Sequence, residues 1–157
     1  MSPFFNLGAR KRTAEKLARV NRAPGQLAGA DLREADLAEV RLAGEDLTGA
    51  DLSGADLRRA DLQHARLAAA TLAGALLTAA DLRAADLRAA NLAAANLWGA
   101  RLTHADLRGA DLTNATLNDA DLRHARYDTA TRWPDDFDAR ASGATEMEPP
   151  MNTDERR

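Results

Sequence analysis

The sequence of 157 residues contains no cysteine, and only 4% of its residues are aromatic. The absence of cysteine excludes disulfide bonds and thiolate chemistry, and it agrees with a reducing compartment. No apolar run approaches the roughly 20 residues that span a bilayer. The basic N-terminal stretch is not followed by the apolar segment of a signal peptide. We therefore expect a cytoplasmic protein with a narrow core of small aliphatic side chains.

Leucine recurs at every fifth position from Leu27 onward, and Tyr127 takes the last place of the series. Alanine usually stands two residues before each leucine with Asp or Asn between them, as in Ala50-Asp51-Leu52. An α-helix turns by about 100° per residue, so a step of five would spread the leucines around its whole circumference. In a β-strand, an odd step would send successive leucines to opposite faces. The repeat therefore predicts a solenoid whose backbone turns once every five residues.

From Gly25 to Thr129 these residues resemble the pentapeptide-repeat family, whose motif is commonly written A(D/N)LXX. The resemblance implies an all-β fold, a right-handed quadrilateral β-helix with four pentapeptides per coil. Leucine and the small residue before the Asp or Asn would point inward, and the repeats would form a little over five coils. With stacked strands about 4.8 Å apart, the rod would be roughly 25 Å long. The motif Asp or Asn is expected to hydrogen-bond the backbone of the turn.

The N-terminal segment, residues 1–24, differs from the β-helix at 25–129 in composition and carries a net charge of +5. Helix-forming residues predict a short capping α-helix here, with Leu17 and Val20 on its apolar side. Such a cap would cover the open backbone and interior of the first coil. The alternative is a basic anchor for a membrane or a nucleic acid.

After Tyr127 the five-residue count stops, and the next segment contains two large aromatic residues and a proline. Residues 130–141 predict a C-terminal cap over the last coil, formed by Trp133 and Phe137 together with Tyr127. Residues 142–157 are rich in charge and proline and poor in apolar residues, so we expect them to be a disordered tail.

A coil of 20 residues would place residues 20 apart above one another, so that the outward side chains form columns on four sides. One side collects every histidine of the chain and has a net charge of +1 with neutral imidazoles. Two imidazoles one coil apart make a poor metal site, and we predict no metal. The histidine column consists of His64, His104 and His124. The acidic side carries Asp31, Glu34, Asp51 and Asp111.

Three residues depart from the motif. Leu76 replaces the outward Asp or Asn and Trp98 points outward one coil later, so that with Thr78 they form an apolar patch suited to a partner or to self-association. Isolated surface hydrophobic residues are the alternative. Glu45 falls at an inward site, where a carboxylate is costly. We expect it either to reach the surface through local distortion or to be satisfied by backbone amides.

The aspartates belong to the repeat motif and a filled rod offers no pocket, so we predict no catalytic residue and no cofactor. The leading interpretation is a non-enzymatic scaffold that binds another protein, as a monomer or weak dimer, without direct contact to nucleic acid or membrane. The resemblance implies an alternative, a DNA mimic that binds a type II topoisomerase (DNA gyrase) and protects it from quinolones. Mimicry requires a dense negative surface, whereas the array has a net charge of only −5 and arginines on every side.

Overall fold

The computed structural model describes residues 27–148, in which the chain winds into a four-sided solenoid. Residues one coil apart form parallel β-bridges, for example Asp31 with Asp51 and Asp51 with Thr71. The backbone hydrogen bonds follow the same spacing, as where the Leu52 N–H donates to the Thr71 C=O at 2.7 Å. A separation of 20 residues between paired positions confirms that four pentapeptides make one coil.

Each side of the solenoid ends in a tight turn whose second residue has a positive φ. In one example, the Ala35 N–H donates to the Leu32 C=O at 3.2 Å, and Glu34 has a φ of 54°. These features define a type II turn. The motif Asp stabilises such turns from the side, since the Ser53 N–H donates to Asp51 Oδ1 at 3.0 Å. The expected hydrogen bond from the turn backbone to the motif carboxylate is thereby confirmed.

The interior is a stack of leucine and alanine side chains along the axis. From Leu47 to Leu112 every motif leucine has no exposed surface, and the inward alanines two residues before these leucines are 0 or 1% exposed. Burying one leucine contributes about 1.5–3 kcal/mol. The side chains that face inward are therefore fully used in packing. The outward columns are the surfaces that a partner could contact.

Glu45 occupies an inward site without disturbing the backbone. Its N–H donates to the Leu42 C=O at 3.1 Å, and its C=O accepts from the Arg66 N–H at 2.9 Å, as in regular coils. The predicted local distortion is therefore wrong. The side chain is half-buried, so part of it reaches the surface on a regular backbone.

Two strands longer than a single bridge occur in the described residues, both at the C-terminal end. Strand β1 (Arg126–Tyr127) pairs in parallel with strand β2 (Thr145–Glu146). The Met147 N–H donates to the Tyr127 C=O at 2.7 Å. The prediction of disorder from residue 142 is therefore wrong for 142–148. These residues are ordered despite their polarity because the edge of β1 offers unpaired backbone groups.

One extra residue in the turn after β1 shifts the register without ending the solenoid. Arg132 forms a bridge with Asp111, which is 21 residues away rather than 20. Thr131 takes the inward position of alanine, and its hydroxyl donates to the Leu107 C=O at 2.9 Å. Trp133 therefore lies at the next leucine site, and the fold extends beyond the predicted end of the array.

The predicted capping helix, with Leu17 and Val20, lies outside the described residues and stays a prediction. Residues 27–148 contain no α-helix, and hence no helix that could cross a membrane.

Candidate interaction surfaces

The apolar patch, formed by Leu76, Thr78 and Trp98, holds the exposed large hydrophobic side chains of the described residues. Leu76 is 39% exposed and Trp98 is 52% exposed. Leu76 lies at the outward Asp/Asn site of its repeat, and Trp98 follows a buried leucine one coil later. The half-buried Thr78 lies one coil before Trp98. The solenoid thus brings together the three residues that the sequence singled out.

Two hydrogen bonds fix the Trp98 residue. The indole Nε1–H donates to Asp119 Oδ2 at 3.0 Å, and the backbone N–H donates to Asn96 Oδ1 at 3.1 Å. The ring is therefore held in one orientation while half of its surface faces solvent. A side chain that is already immobilised loses little conformational entropy when a partner covers it.

The histidine column contains one stacked pair. The imidazole rings of His104 and His124 lie 5.0 Å apart, centroid to centroid, at an interplanar angle of 13°. His64 is two coils from His104, and Ala84 occupies the position between them. Within residues 27–148 no group of three or more His, Asp or Glu side chains is arranged to hold a metal ion.

The acidic side is not a continuous negative band. Arg33 Nη2 lies 2.9 Å from Asp31 Oδ2, and Arg33 Nε lies 3.8 Å from Asp51 Oδ2. Asp111 has Arg132 Nη1 at 3.8 Å. Between these ends, the outward residues of 71–74 and 91–94 carry no charge. Glu34, also assigned to this side, lies in a turn with positive φ.

Asp-Leu-Arg triplets provide the most regular polar contacts of the surface. In each, the guanidinium folds back onto the aspartate two residues earlier, donating Nε–H to Oδ1 and Nη2–H to Oδ2; for Arg88 and Asp86 these distances are 2.8 and 2.7 Å. The hydrogen bond from Arg123 lowers the pKa of the Asp121 carboxyl to about 2. We call this arrangement the Asp–Arg fork. The forks are Asp31–Arg33, Asp56–Arg58, Asp81–Arg83, Asp86–Arg88, Asp106–Arg108 and Asp121–Arg123.

Three aromatic rings pack on one another at the C-terminal end. Tyr127 and Trp133 meet edge to face with ring centroids 5.5 Å apart, and Trp133 stacks on Phe137 at 5.3 Å. Trp133 and Phe137 are partly buried against the leucine stack. Sequence reasoning placed these residues over the last coil, but it missed Thr131, whose inward position depends on the one-residue insertion.

The sequence matches the protein family described as pentapeptide repeats, in eight copies, over residues 26–63, 60–98 and 90–126. The chain therefore belongs to the pentapeptide-repeat family, whose members form right-handed β-helices. A comparison with curated proteins finds no match.

Solved structures of the same family resemble the chain. Alr5209 from Nostoc PCC 7120 is 30% identical over 85% of this chain and 94% of its own, with a TM-score of 0.51. A protein from the Arabidopsis thaliana thylakoid lumen is 32% identical over 68% of this chain and 70% of its own, with a TM-score of 0.45. QnrB1, a plasmid-mediated fluoroquinolone resistance protein, is 19% identical over 76% of this chain and 79% of its own, with a TM-score of 0.26. The last similarity is too low to support a functional argument.

Proposed function

We propose that the chain is a non-enzymatic scaffold that binds another protein through the apolar patch. The observation that carries the proposal is the side chain of Trp98, half-exposed and fixed by Asp119. Tryptophan is enriched among the residues that dominate binding energy in protein interfaces. Leu76 enlarges the same surface, while Asn96 and Asp119 provide a polar rim.

The arrangement of the carboxylates favours a structural role over a catalytic one. Motif aspartates accept the backbone N–H two residues later, as Asp111 does from Thr113 at 2.9 Å, and many also hold an arginine. These hydrogen bonds lower the pKa of the Asp111 carboxyl, so it is ionised at neutral pH. A general acid or base needs a pKa near the working pH.

Affinity capture with the immobilised full-length chain, followed by titration of the purified partner, tests the proposal. Trp98→Ala should weaken binding by about 30-fold, since hot-spot residues contribute about 2 kcal/mol or more. As a separate variant, Leu76→Asp should weaken binding more than Trp98→Ala does. Thr113→Ala is the matched control, because Thr113 is exposed at the same turn position on another side; it should bind as the wild type does. Equal binding by all four proteins would exclude the apolar patch.

The topoisomerase alternative makes a different prediction. DNA mimicry needs densely spaced negative charge, and here the acidic side is neutral in its middle and paired with arginine at both ends. We therefore expect no inhibition of gyrase supercoiling at micromolar protein and no protection from quinolones. Inhibition in that assay would favour the alternative over the scaffold.

A further inference from the structure

A basic groove of about 250 Å³ lies along the corner between the histidine side and the side that ends at Tyr127. Its arginines lie on the side that carries Leu87 and Leu107, opposite to the side of Leu77 and Leu97 that bears the apolar patch. With neutral histidine its charged residues sum to +1. These residues are Arg88, Arg108, Arg126, His104, Asp86 and Asp106.

Asp106 forms the base of the basic groove and holds two arginines at once. Arg108 Nη2 lies 2.7 Å and Arg126 Nη2 lies 2.9 Å from the same oxygen, Asp106 Oδ2. The Asp106 side chain is only 7% exposed, whereas that of Arg126 is 48% exposed. One carboxylate thus neutralises one of two guanidinium charges, and the remaining positive charge faces solvent.

Arg88 and Arg108 lie one coil apart along the groove, each in its own Asp–Arg fork. The hydrogen bond to Asp106 raises the pKa of Arg108, and the positive charge of Arg88 acts on it in the opposite direction. A fork uses Nε and Nη2, and a guanidinium has five N–H donors. Each arginine therefore keeps donors for a ligand.

We infer that the basic groove binds a carboxylate-rich segment of a partner protein. The planar donors of arginine match the two oxygens of a carboxylate, and rows of guanidinium groups one coil apart suit an extended acidic chain. Nucleic acid is disfavoured because its binding requires neutralisation of many phosphates, whereas the groove offers +1 on a chain of net charge −3. This surface is separate from the apolar patch, so the inference does not depend on Trp98.

Fluorescence anisotropy with a labelled oligoglutamate peptide tests the inference, with a single-stranded oligonucleotide of equal charge as the competing ligand. The wild type should bind the peptide at low ionic strength and release it as salt screens the charges. The double variant Arg88→Gln/Arg126→Gln should weaken peptide binding by about tenfold, as expected for the loss of two exposed charge pairs. Asp106 retains Arg108 in this variant, and thermal melting checks that the fold is intact.

The matched control is Arg33→Gln/Arg58→Gln, which changes the net charge equally on the other two sides. Arg58 is 54% exposed and Arg88 is 53% exposed, and both are held in Asp–Arg forks. The control and Trp98→Ala should bind the peptide within about twofold of the wild type. Equal weakening by the control, tighter binding of the oligonucleotide, or no peptide binding at low salt would each overturn the inference.

Discussion

The positive φ of the second residue in each turn allows a quantitative prediction for the substitution Gly74→Ala. Gly74 has a φ of 64°, and a Cβ added there would meet no atom within 4 Å. The substitution therefore changes backbone strain without a steric clash. A left-handed L-residue costs about 1–2 kcal/mol, and the lower entropy of the unfolded chain offsets about 0.4–1 kcal/mol. The variant should be destabilised by about 0.5–1 kcal/mol.

The reverse substitution should have the opposite effect. Ala84 has a φ of 55° at the equivalent turn position, so Ala84→Gly should raise the free energy of unfolding by about 0.5–1 kcal/mol. Ala73 is the control, because it lies at the first turn position and is not among the residues with positive φ. There a change to glycine should only destabilise the protein.

Guanidinium unfolding followed by circular dichroism measures these effects. In a repeat array, stability is shared between neighbouring coils. Variants should therefore be compared by the guanidinium concentration at the midpoint of unfolding, provided that the dependence of the free energy of unfolding on denaturant is unchanged. The reasoning is refuted if Gly74→Ala is neutral while Ala84→Gly destabilises the protein as much as Ala73→Gly.

Substitutions at three further residues test the core, the forks and the C-terminal end. Leu87 is fully buried, so Leu87→Ala should cost about 2–5 kcal/mol in urea unfolding, and a loss below about 1 kcal/mol would contradict close packing. The pKa of Asp121 falls from 3.8 to about 2 on folding, so its contribution to stability is complete above pH 4 and is lost as the pH falls to about 2; melting of Asp121→Asn should depend less on pH in that window. Trp133 Nε1 is buried without a hydrogen-bond partner among the described residues. Trp133→Phe should therefore melt within a few degrees of the wild type, whereas Trp133→Ala should cost about 3–5 kcal/mol.

The five-residue count was sufficient to predict a solenoid with inward leucines, and the resemblance to the pentapeptide-repeat family supplied the four-sided coil from which the columns follow. It succeeded because each pentapeptide adds one side of constant length, so the inward direction of one leucine fixes that of the next; the extra residue before Arg132 is accommodated in a turn. The apolar patch was predictable for the same reason: Leu76 and Trp98 occupy sites whose outward direction follows from the count. How a partner uses these residues depends on the partner, which the sequence does not contain.

The left-handed turn position could not be found from composition. Glycine occupies it at Gly74, but Glu34, His64 and Ala84 occupy it elsewhere with φ between 54 and 57°. Their N–H groups donate to carbonyls of the next coil, as where the His64 N–H donates to the Arg83 C=O at 3.0 Å, and this ladder holds them in a conformation that they would not adopt alone. The order of residues 142–148 was missed for a related reason, since it comes from backbone pairing with β1 and not from apolar side chains.

The formal net charge of each side does not describe which charged groups of this solenoid lie outermost, where a partner would meet them. The motif aspartate is short and accepts a backbone N–H, so its carboxylate lies against the rod. An arginine in the turn projects beyond it: in one fork the side chain of Asp106 is 7% exposed and that of Arg108 is 36% exposed. From 27 to 129, the two turn positions of each repeat carry seven arginines against four acidic residues, whereas the motif site carries 11 acidic residues against four arginines. The net −5 of the array is therefore an inner layer of carboxylates beneath an outer layer of guanidinium groups. DNA mimicry needs densely spaced negative charge at the outer surface, whereas the outer layer of this solenoid carries more arginines than acidic residues, which supports the proposal of an acidic partner.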